Sequence, residues 1–133
     1  GRIMKKAVSF ELFEPNQTMY FDIMRLKEFE DRMGMPFGRM VGQECSIKFC
    51  LIGLSVGLKH HYPQIKPDAF WAEKMDEYME KGGTLEDIFL KIAEAIGMSN
   101  AMGKFTPQPN EIKNAEKVQM AGIPEKSTAS QNG

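Results

Sequence analysis

The sequence carries almost no net charge, because its 17 lysines and arginines are balanced by 18 aspartates and glutamates, for a formal charge of −1. A protein that binds duplex nucleic acid needs many basic contacts to phosphates, and a membrane-surface protein needs a polybasic segment. The composition therefore argues against nucleic acid and against a membrane surface as partners.

Long hydrophobic runs are also missing. The longest uncharged apolar stretch, Phe49 to Leu58, has about half of the roughly 20 residues that a bilayer-spanning helix needs. We expect Met4-Lys5-Lys6 to be the natural start, and no apolar signal-peptide core comes after it. The sequence thus predicts a cytoplasmic protein without membrane association.

The chain has only two cysteines and two histidines. Cys45 and Cys50 are about 7.5 Å apart along one predicted helix, out of disulfide range, so we expect both to be reduced core residues. His60 and His61 would point about 100° apart on a helix and could not share a metal ion. Their expected role is to satisfy the last carbonyl groups of a helix.

Catalytic and cofactor-binding patterns are missing as well. Neither cysteine has a histidine within reach on its predicted helix, and no glycine-rich phosphate loop occurs. The acidic residues of the predicted helices are expected to face solvent rather than a cleft. We predict no metal, no cofactor and no enzymatic activity.

The N-terminal sequence predicts a β-hairpin. Residues 5–13 alternate, with Val8, Phe10 and Leu12 on one side, and residues 18–21 form a second short run of strand-forming residues after a Pro-Asn turn. A lone hairpin is only marginally stable, so we expect its apolar side to pack against helices.

Helices are predicted for most of the chain between the hairpin and residue 97. Asp22 and Gly34 bound the first, whose apolar face is expected to contain Ile23, and a single turn is expected at 36–41. The central helix, at about 44–61, is apolar at nearly every angle and should be buried. Its Gly53 and Gly57 indicate close helix packing, with a self-association seam as the alternative.

Two further helices are predicted at 67–81 and 84–97. The first has an apolar stripe that includes Trp71, Met75, Tyr78 and Met79, and we expect Trp71 to pack next to the central helix. The second begins with a capping box formed by Thr84 and Asp87. Its apolar face contains Leu85, Ile88, Phe89, Ile92 and Ile96.

The composition changes after Gly103, because only 8 of the 30 residues from Lys104 to Gly133 are apolar. Such a segment buries too little surface to offset its ordering entropy. We therefore predict a mainly α (α+β) fold: a small helical domain with an N-terminal hairpin at 4–103, and a disordered, flexible tail at 104–133. The one weak helical pattern in the tail runs from Asn110 to Met120.

Eleven methionines are present, and most are expected in the core. Flexible thioethers also adapt to varied partners when they are exposed. Met98, Met102 and Phe105 are the predicted partner-binding residues. We expect an apolar groove bordered by Met98, Met102 or the edge of the hairpin.

The order of these elements resembles the tail assembly chaperones of long-tailed bacteriophages and related prophages. The similarity covers about residues 5–103 and includes Arg32-Met33-Gly34 at the end of the first helix and Gly57-Leu58-Lys59-His60 at the end of the central one. The family often continues with an acidic residue and proline, and His61-Tyr62-Pro63 departs from that pattern.

The resemblance implies a non-catalytic protein that binds the tape-measure protein and keeps it soluble while the tail tube assembles. It implies the host bacterial cytoplasm as the location, absence from the mature virion, the tail tube protein as a possible second partner, and a possible homo-oligomer. Such chaperones often have a longer form made by ribosomal frameshifting.

Two alternatives remain open: a structural tail-completion or adaptor protein of the virion, and a small helical regulatory DNA-binding module. The second would need a basic recognition helix. Residues 67–81 contain two lysines against five acidic residues.

Overall fold

A two-stranded antiparallel hairpin followed by helices makes up the computed structural model, which describes residues 6–40, 42, 44–99 and 101. The predicted mainly α fold is confirmed. The elements are β1 (Val8–Ser9), β2 (Thr18–Met19), α1 (Ile23–Met33), α2 (Phe37–Met40), α3 (Ile47–Gly57), a 3₁₀ turn (Lys59–His61), α4 (Asp68–Glu80) and α5 (Leu85–Met98). The predicted tail, its boundary at 103/104, Met102 and Phe105 lie outside the described residues.

The hairpin is shorter than predicted but has the predicted orientation. Val8 pairs with Met19 and Ser9 with Thr18. Asn16, with a left-handed φ of 67°, forms the turn, and its N–H donates to the Glu11 carboxylate at 2.9 Å. Because of this turn, β1 does not extend to residue 13 as the sequence predicted. Val8, Phe10 and Met19 are buried, and Leu12 packs partly buried against the core.

Helix α1 begins and ends at the predicted residues. The Asp22 side chain accepts from the N–H of Arg25 at 3.0 Å, and Gly34 terminates the helix with a φ of 75°. The prediction that Ile23 belongs to the buried face is wrong, since Ile23 is 71% exposed. Phe29 contacts the rings of both Phe21 and Phe49, which turns α1 toward the Phe29 side and leaves Ile23 in solvent.

Helix α3 is the central element, and α1, α4 and α5 all pack against it. It is shorter than predicted, because Ser46 caps its start and the chain tightens into the 3₁₀ turn after Leu58. A Cβ on Gly53 would lie 2.7 Å from Ile92 Cδ1, and one on Gly57 would lie 2.7 Å from Met19 Cγ. Both glycines therefore allow close packing within the chain, and the self-association alternative for them is excluded.

Helices α4 and α5 complete the body. Trp71 and Met75 are buried on α4, as predicted, whereas Met79 is exposed. The capping box of α5 is present as predicted. The hydroxyl of Tyr78 donates to Asp87 at 2.8 Å and joins the two helices. The buried side of α5 comprises Ile88, Ile92, Ala95 and Ile96.

Candidate functional site

The two histidines lie where the hairpin, the start of α1 and the end of α3 meet. We call this place the junction and define it by Thr18, Arg25, Gly57, His60 and His61. His60 Nε2 is 3.1 Å from the Thr18 hydroxyl, and the N–H of Thr18 donates to His61 Nε2 at 2.9 Å. The imidazole rings lie against each other, with centroids 4.1 Å apart. Both histidines therefore bind the hairpin to the helical body.

Arg25 closes the end of α3. Its Nη1 donates to the carbonyl oxygens of Val56 at 3.2 Å and Gly57 at 3.1 Å, and its guanidinium lies 3.7 Å from the centre of the Tyr20 ring. The prediction that the imidazoles satisfy these carbonyls is wrong. An arginine reaches them from a neighbouring helix, which local sequence at the helix end does not reveal.

The protonation state of His60 follows from this arrangement. Arg25 Nη1 donates to His60 Nδ1 at 3.1 Å, so Nδ1 acts as the acceptor and the ring proton is on Nε2. Partial desolvation of the ring and the neighbouring His61 and Arg25 lower the pKa of His60 to about 4, although the residue as a whole remains exposed. A neutral imidazole held between an arginine and a threonine is part of the structural framework. Among the described residues, no group of three or more His, Cys, Asp or Glu side chains could hold a metal ion.

The rest of the family-like motif is also structural. Leu58 is fully buried, and Lys59 donates to Glu28 at 2.8 Å. Arg32 contacts the same carboxylate at 3.4 Å and donates to the Ser55 hydroxyl at 2.9 Å. The prediction that the acidic residues of the helices face solvent is wrong for Glu28.

Glu30 is a second exception to that prediction. Its carboxylate accepts from the N–H of Phe37 at 2.6 Å, so it holds the start of α2 against the end of α1. The Asp31 carboxylate behaves as predicted, because it is exposed and, among the described residues, pairs with Lys27 one turn earlier.

The cysteines differ from the prediction in position. Cys45 precedes the capping residue Ser46 and is exposed, while Cys50 is buried inside α3. The prediction that both lie on one helix and in the core is therefore wrong for Cys45. Burial raises the pKa of Cys50 to about 12. Since the thiolate is the reactive form, neither its burial nor its pKa favours Cys50 as a nucleophile.

An open groove lies between α1, α3 and the start of α4. We call it the groove; its volume is about 490 Å³, and it is lined by Arg32, Ile47, Lys48, Leu51, Ile52 and Asp68. Ile47, the first residue of α3, is 62% exposed, and Leu51 is partly buried. Arg32 and Lys48 are the cations of its rim, and Arg32 lies 3.9 Å from the Asp68 carboxylate. This groove is separate from the one expected beside Met98, Met102 or the hairpin edge, and that expectation stays a prediction because Met102 lies outside the described residues.

A second uncovered surface is the outer face of α5, defined by Glu86, Leu90, Ala93, Glu94 and Met98. All five residues are exposed, Leu90 by 54% and Met98 by 40%. The predicted exposure of Met98 is confirmed. Leu90 was missed as a surface residue, although the buried stripe of α5 leaves it on the opposite side of the helix.

The described residues form a small helical protein with an N-terminal hairpin, and apolar side chains are exposed at the groove, on the outer face of α5 and at the start of α1. In the described part of the chain, no helix is both long and apolar enough to cross a membrane. Comparison with protein-family models, with curated proteins and with solved structures finds no match to the chain.

Proposed function

We propose that the protein is a non-catalytic tail assembly chaperone of a bacteriophage or prophage, which binds the tape-measure protein during assembly of the tail tube. The observation that carries this proposal is the outer face of α5, where Leu90 and Met98 remain uncovered. Burial of apolar surface is the dominant favourable contribution in most protein–protein association, and these exposed side chains can supply it.

Met98 is the main contact residue of the proposed client surface. It is the last residue of α5, and its exposed thioether adapts to partners of varied shape. Met102 and Phe105, the other two predicted partner-binding residues, come after it in sequence and lie outside the described residues. A long helical client fits this requirement, because amphipathic helices present apolar anchors at every third or fourth residue.

The residues of the family-like motif support a common fold rather than a common binding site. Gly57 packs against Met19, Leu58 is buried, and Lys59 and His60 pair with side chains of α1. These interactions hold the hairpin, α1 and α3 together. The functional proposal therefore rests on the outer face of α5 together with the resemblance in element order.

In this proposal the protein acts in the host bacterial cytoplasm, where it keeps the tape-measure protein soluble until tube subunits surround it. The tail tube protein is the second proposed partner, since it must replace the chaperone on the client. The chaperone then leaves and is not part of the mature particle.

The proposal is tested by affinity purification from phage-infected or prophage-induced cells. The wild-type chain is expected to retain the tape-measure protein, and Met98→Asp should lose it. Met24→Asp is the matched control, because Met24 is also an exposed helical methionine but lies at the start of α1. Both variants should unfold at the wild-type temperature.

Three outcomes would overturn the proposal. If the chain purifies without any tail protein, it has no client of the proposed kind. Equal loss of the client in both methionine variants would show that the outer face of α5 is not the binding surface. Stoichiometric detection of the chain in mature particles would instead identify a structural adaptor of the virion.

A further inference from the structure

We propose that Cys45 and Cys50 form a reversible disulfide bond within one chain, and that this bond locks the start of α3. The modification lies at the end of α3 that borders the groove. It involves neither the client nor the outer face of α5, so it is independent of the proposed function.

The cap of α3 brings the two cysteines to the same turn. Ser46 is the capping residue, with an extended backbone at φ −139° and ψ 156°, and its hydroxyl accepts from the N–H of Phe49 at 3.1 Å. Cys45 immediately precedes this cap. Cys50 is the fourth residue of the helix, and its N–H donates to the Ser46 carbonyl oxygen at 3.1 Å. Side chains at these two positions often pack against each other across the first turn of a capped helix.

This arrangement differs from the spacing that the sequence predicted. Two cysteines five residues apart inside a helix are separated by about 7.5 Å along its axis and point in different directions. Cys45 lies before the helix, and the extended backbone at Ser46 changes the direction of the chain there. The helical spacing that placed the pair out of disulfide range therefore does not apply to it.

The ionisation of each thiol depends on the other. Burial, followed by the neighbouring Cys45 thiol, raises the pKa of Cys50 to about 12. Partial desolvation raises the pKa of Cys45, and the Cys50 thiol acts in the opposite direction. Thiols with raised pKa values are poor leaving groups, so a disulfide between them is slow to be reduced by other thiols.

The two cysteines differ in exposure, and this difference sets the order of reaction. Cys45 is exposed, whereas Cys50 is fully buried. A small disulfide in solution, such as glutathione disulfide, therefore reaches Cys45 first. Cys50 needs no access to solvent for the second step, because Cys45 on the same turn supplies the sulfur that it attacks.

The reaction consists of two thiol–disulfide exchanges. In the first, the Cys45 thiol loses its proton and its sulfur attacks glutathione disulfide, whose S–S bond breaks, and one glutathione leaves and takes up a proton. In the second, Cys50 loses its proton and attacks the Cys45 sulfur, which forms the intramolecular bond and releases the second glutathione. The two cysteines lose two electrons and two protons, and glutathione disulfide gains them. The raised pKa of Cys50 makes the second exchange slow at neutral pH.

The bond would close a loop of six residues, 45–50, around the helix cap. A cross-link restricts the unfolded chain and holds both hydrogen bonds of Ser46 in place. Ile47 lies inside this loop and lines the groove. Oxidation would therefore fix this wall of the groove.

The chemical test treats the wild-type chain, Cys45→Ser and Cys50→Ser with glutathione disulfide at mildly alkaline pH. Mass spectrometry should show a wild-type monomer that is two hydrogen atoms lighter and has no attached glutathione, and dithiothreitol should restore its mass. Cys50→Ser should stop at the mixed disulfide on Cys45. Cys45→Ser should not react, because its remaining thiol is buried.

Thermal unfolding and hydrogen exchange measure the lock itself. The oxidised wild type should unfold at least about 4 °C above the reduced protein. Exchange of the Phe49 and Cys50 amides should slow on oxidation. The Arg25 and Leu26 amides are the matched control, because they occupy the same two positions after the cap of α1 and donate to Asp22. Their exchange should change less.

The other outcomes overturn the proposal. A wild-type chain that does not react, or that keeps one glutathione without closing the ring, would show that Cys50 is out of reach of Cys45. Chains joined in pairs on a non-reducing gel would show that Cys45 reacts between molecules instead. A closed bond that changes neither the melting temperature nor the exchange of Phe49 would show that it does not lock α3.

Discussion

The two ends of α3 differ in the contacts that they make with the rest of the chain. At its C-terminal end, the carbonyl groups of Val56 and Gly57 are bound by Arg25, and His60 and His61 bind the hairpin. At its N-terminal end, Ile47 and Lys48 are exposed beside an open apolar groove. The end that contains the two histidines is joined to the hairpin by internal contacts, and the end that contains Ile47, Lys48 and the exposed Cys45 is uncovered.

This difference reverses the usual association between side-chain type and function. Histidine and arginine are common in active sites, yet here Arg25 satisfies buried backbone carbonyl groups, which are costly when left unpaired, and the histidines bind Thr18 of the hairpin. Isoleucine and leucine are common in cores, yet Ile47 and Leu90 are exposed. The residues that are already bonded to other parts of the chain are structural. The exposed residues are the candidates for binding, whatever their side-chain type.

The largest effect is expected in the core between the two ends. Trp71→Ala should lower the free energy of unfolding by about 3–5 kcal/mol, because it empties the space of a fully buried indole. The Nε1 atom of Trp71 is buried and has no hydrogen-bond partner among the described residues. Trp71→Phe should therefore be much milder. Chemical denaturation measures both, and a loss below about 1 kcal/mol for Trp71→Ala would place the side chain at the surface.

A smaller but still large loss is expected at the junction. Arg25→Met keeps much of the side-chain volume but removes the donor to Val56 and Gly57, so the variant should lose about 2–3 kcal/mol of stability. Lys27→Met, on the same helix, removes only an exposed ion pair with Asp31 and should change stability by less than about 0.5 kcal/mol. Equal effects of the two substitutions in urea denaturation would show that Arg25 does not stabilise the C-terminal end of α3.

The junction should also respond to pH. The pKa of His60 is about 4 in the folded chain and about 6.5 in the unfolded chain, so the unfolded state binds the extra proton first. The contribution of neutral His60 to stability is complete above pH 6.5 and is lost as the pH falls toward 4. His60→Asn keeps an acceptor for Arg25 without titrating and should flatten this part of the thermal-stability profile. An identical slope in both proteins would exclude His60 as its source.

The smallest effect on stability is expected at the open end. Ile47→Asp should change the free energy of unfolding by no more than about 0.5 kcal/mol, because the residue is exposed and an acidic residue suits the first turn of a helix. Ile23→Asp should behave alike for the same reason. A loss of more than about 2 kcal/mol in Ile47→Asp alone would show that Ile47 belongs to the core.

Short-range patterns in the sequence predicted most of the fold. Asp22, Thr84 and Asp87 were recognised as caps because a cap depends on residues within one turn. The alternation around Phe10 and the stripe around Ile92 placed both residues in the core. Gly53 and Gly57 were correctly assigned to close packing, since the absence of a side chain leaves little other use for glycine inside a buried helix.

The site was harder to predict because it depends on contacts between distant elements. Arg25 is 31 residues from the carbonyl that it binds at Val56, and no local pattern links them. Cys45 was placed in the core because α3 was expected to begin at about residue 44. Instead, Ser46 caps the helix, so Cys45 lies before its first turn. The groove arises from the spacing of α1, α3 and α4, which periodicity within one helix does not determine.

The central claim is that the protein binds a tape-measure client through the uncovered surface of α5 and not through the junction. Methyl NMR of the full chain labelled at its methionines tests it directly, because Met98 lies on the outer face of α5, Met19 lies buried against Gly57, and Met24 is exposed elsewhere. On titration with the tape-measure protein, the Met98 signal should shift or broaden while those of Met19 and Met24 stay in place. Perturbation of Met19 or Met24 with Met98 unchanged, or no change at any methionine, would contradict the claim.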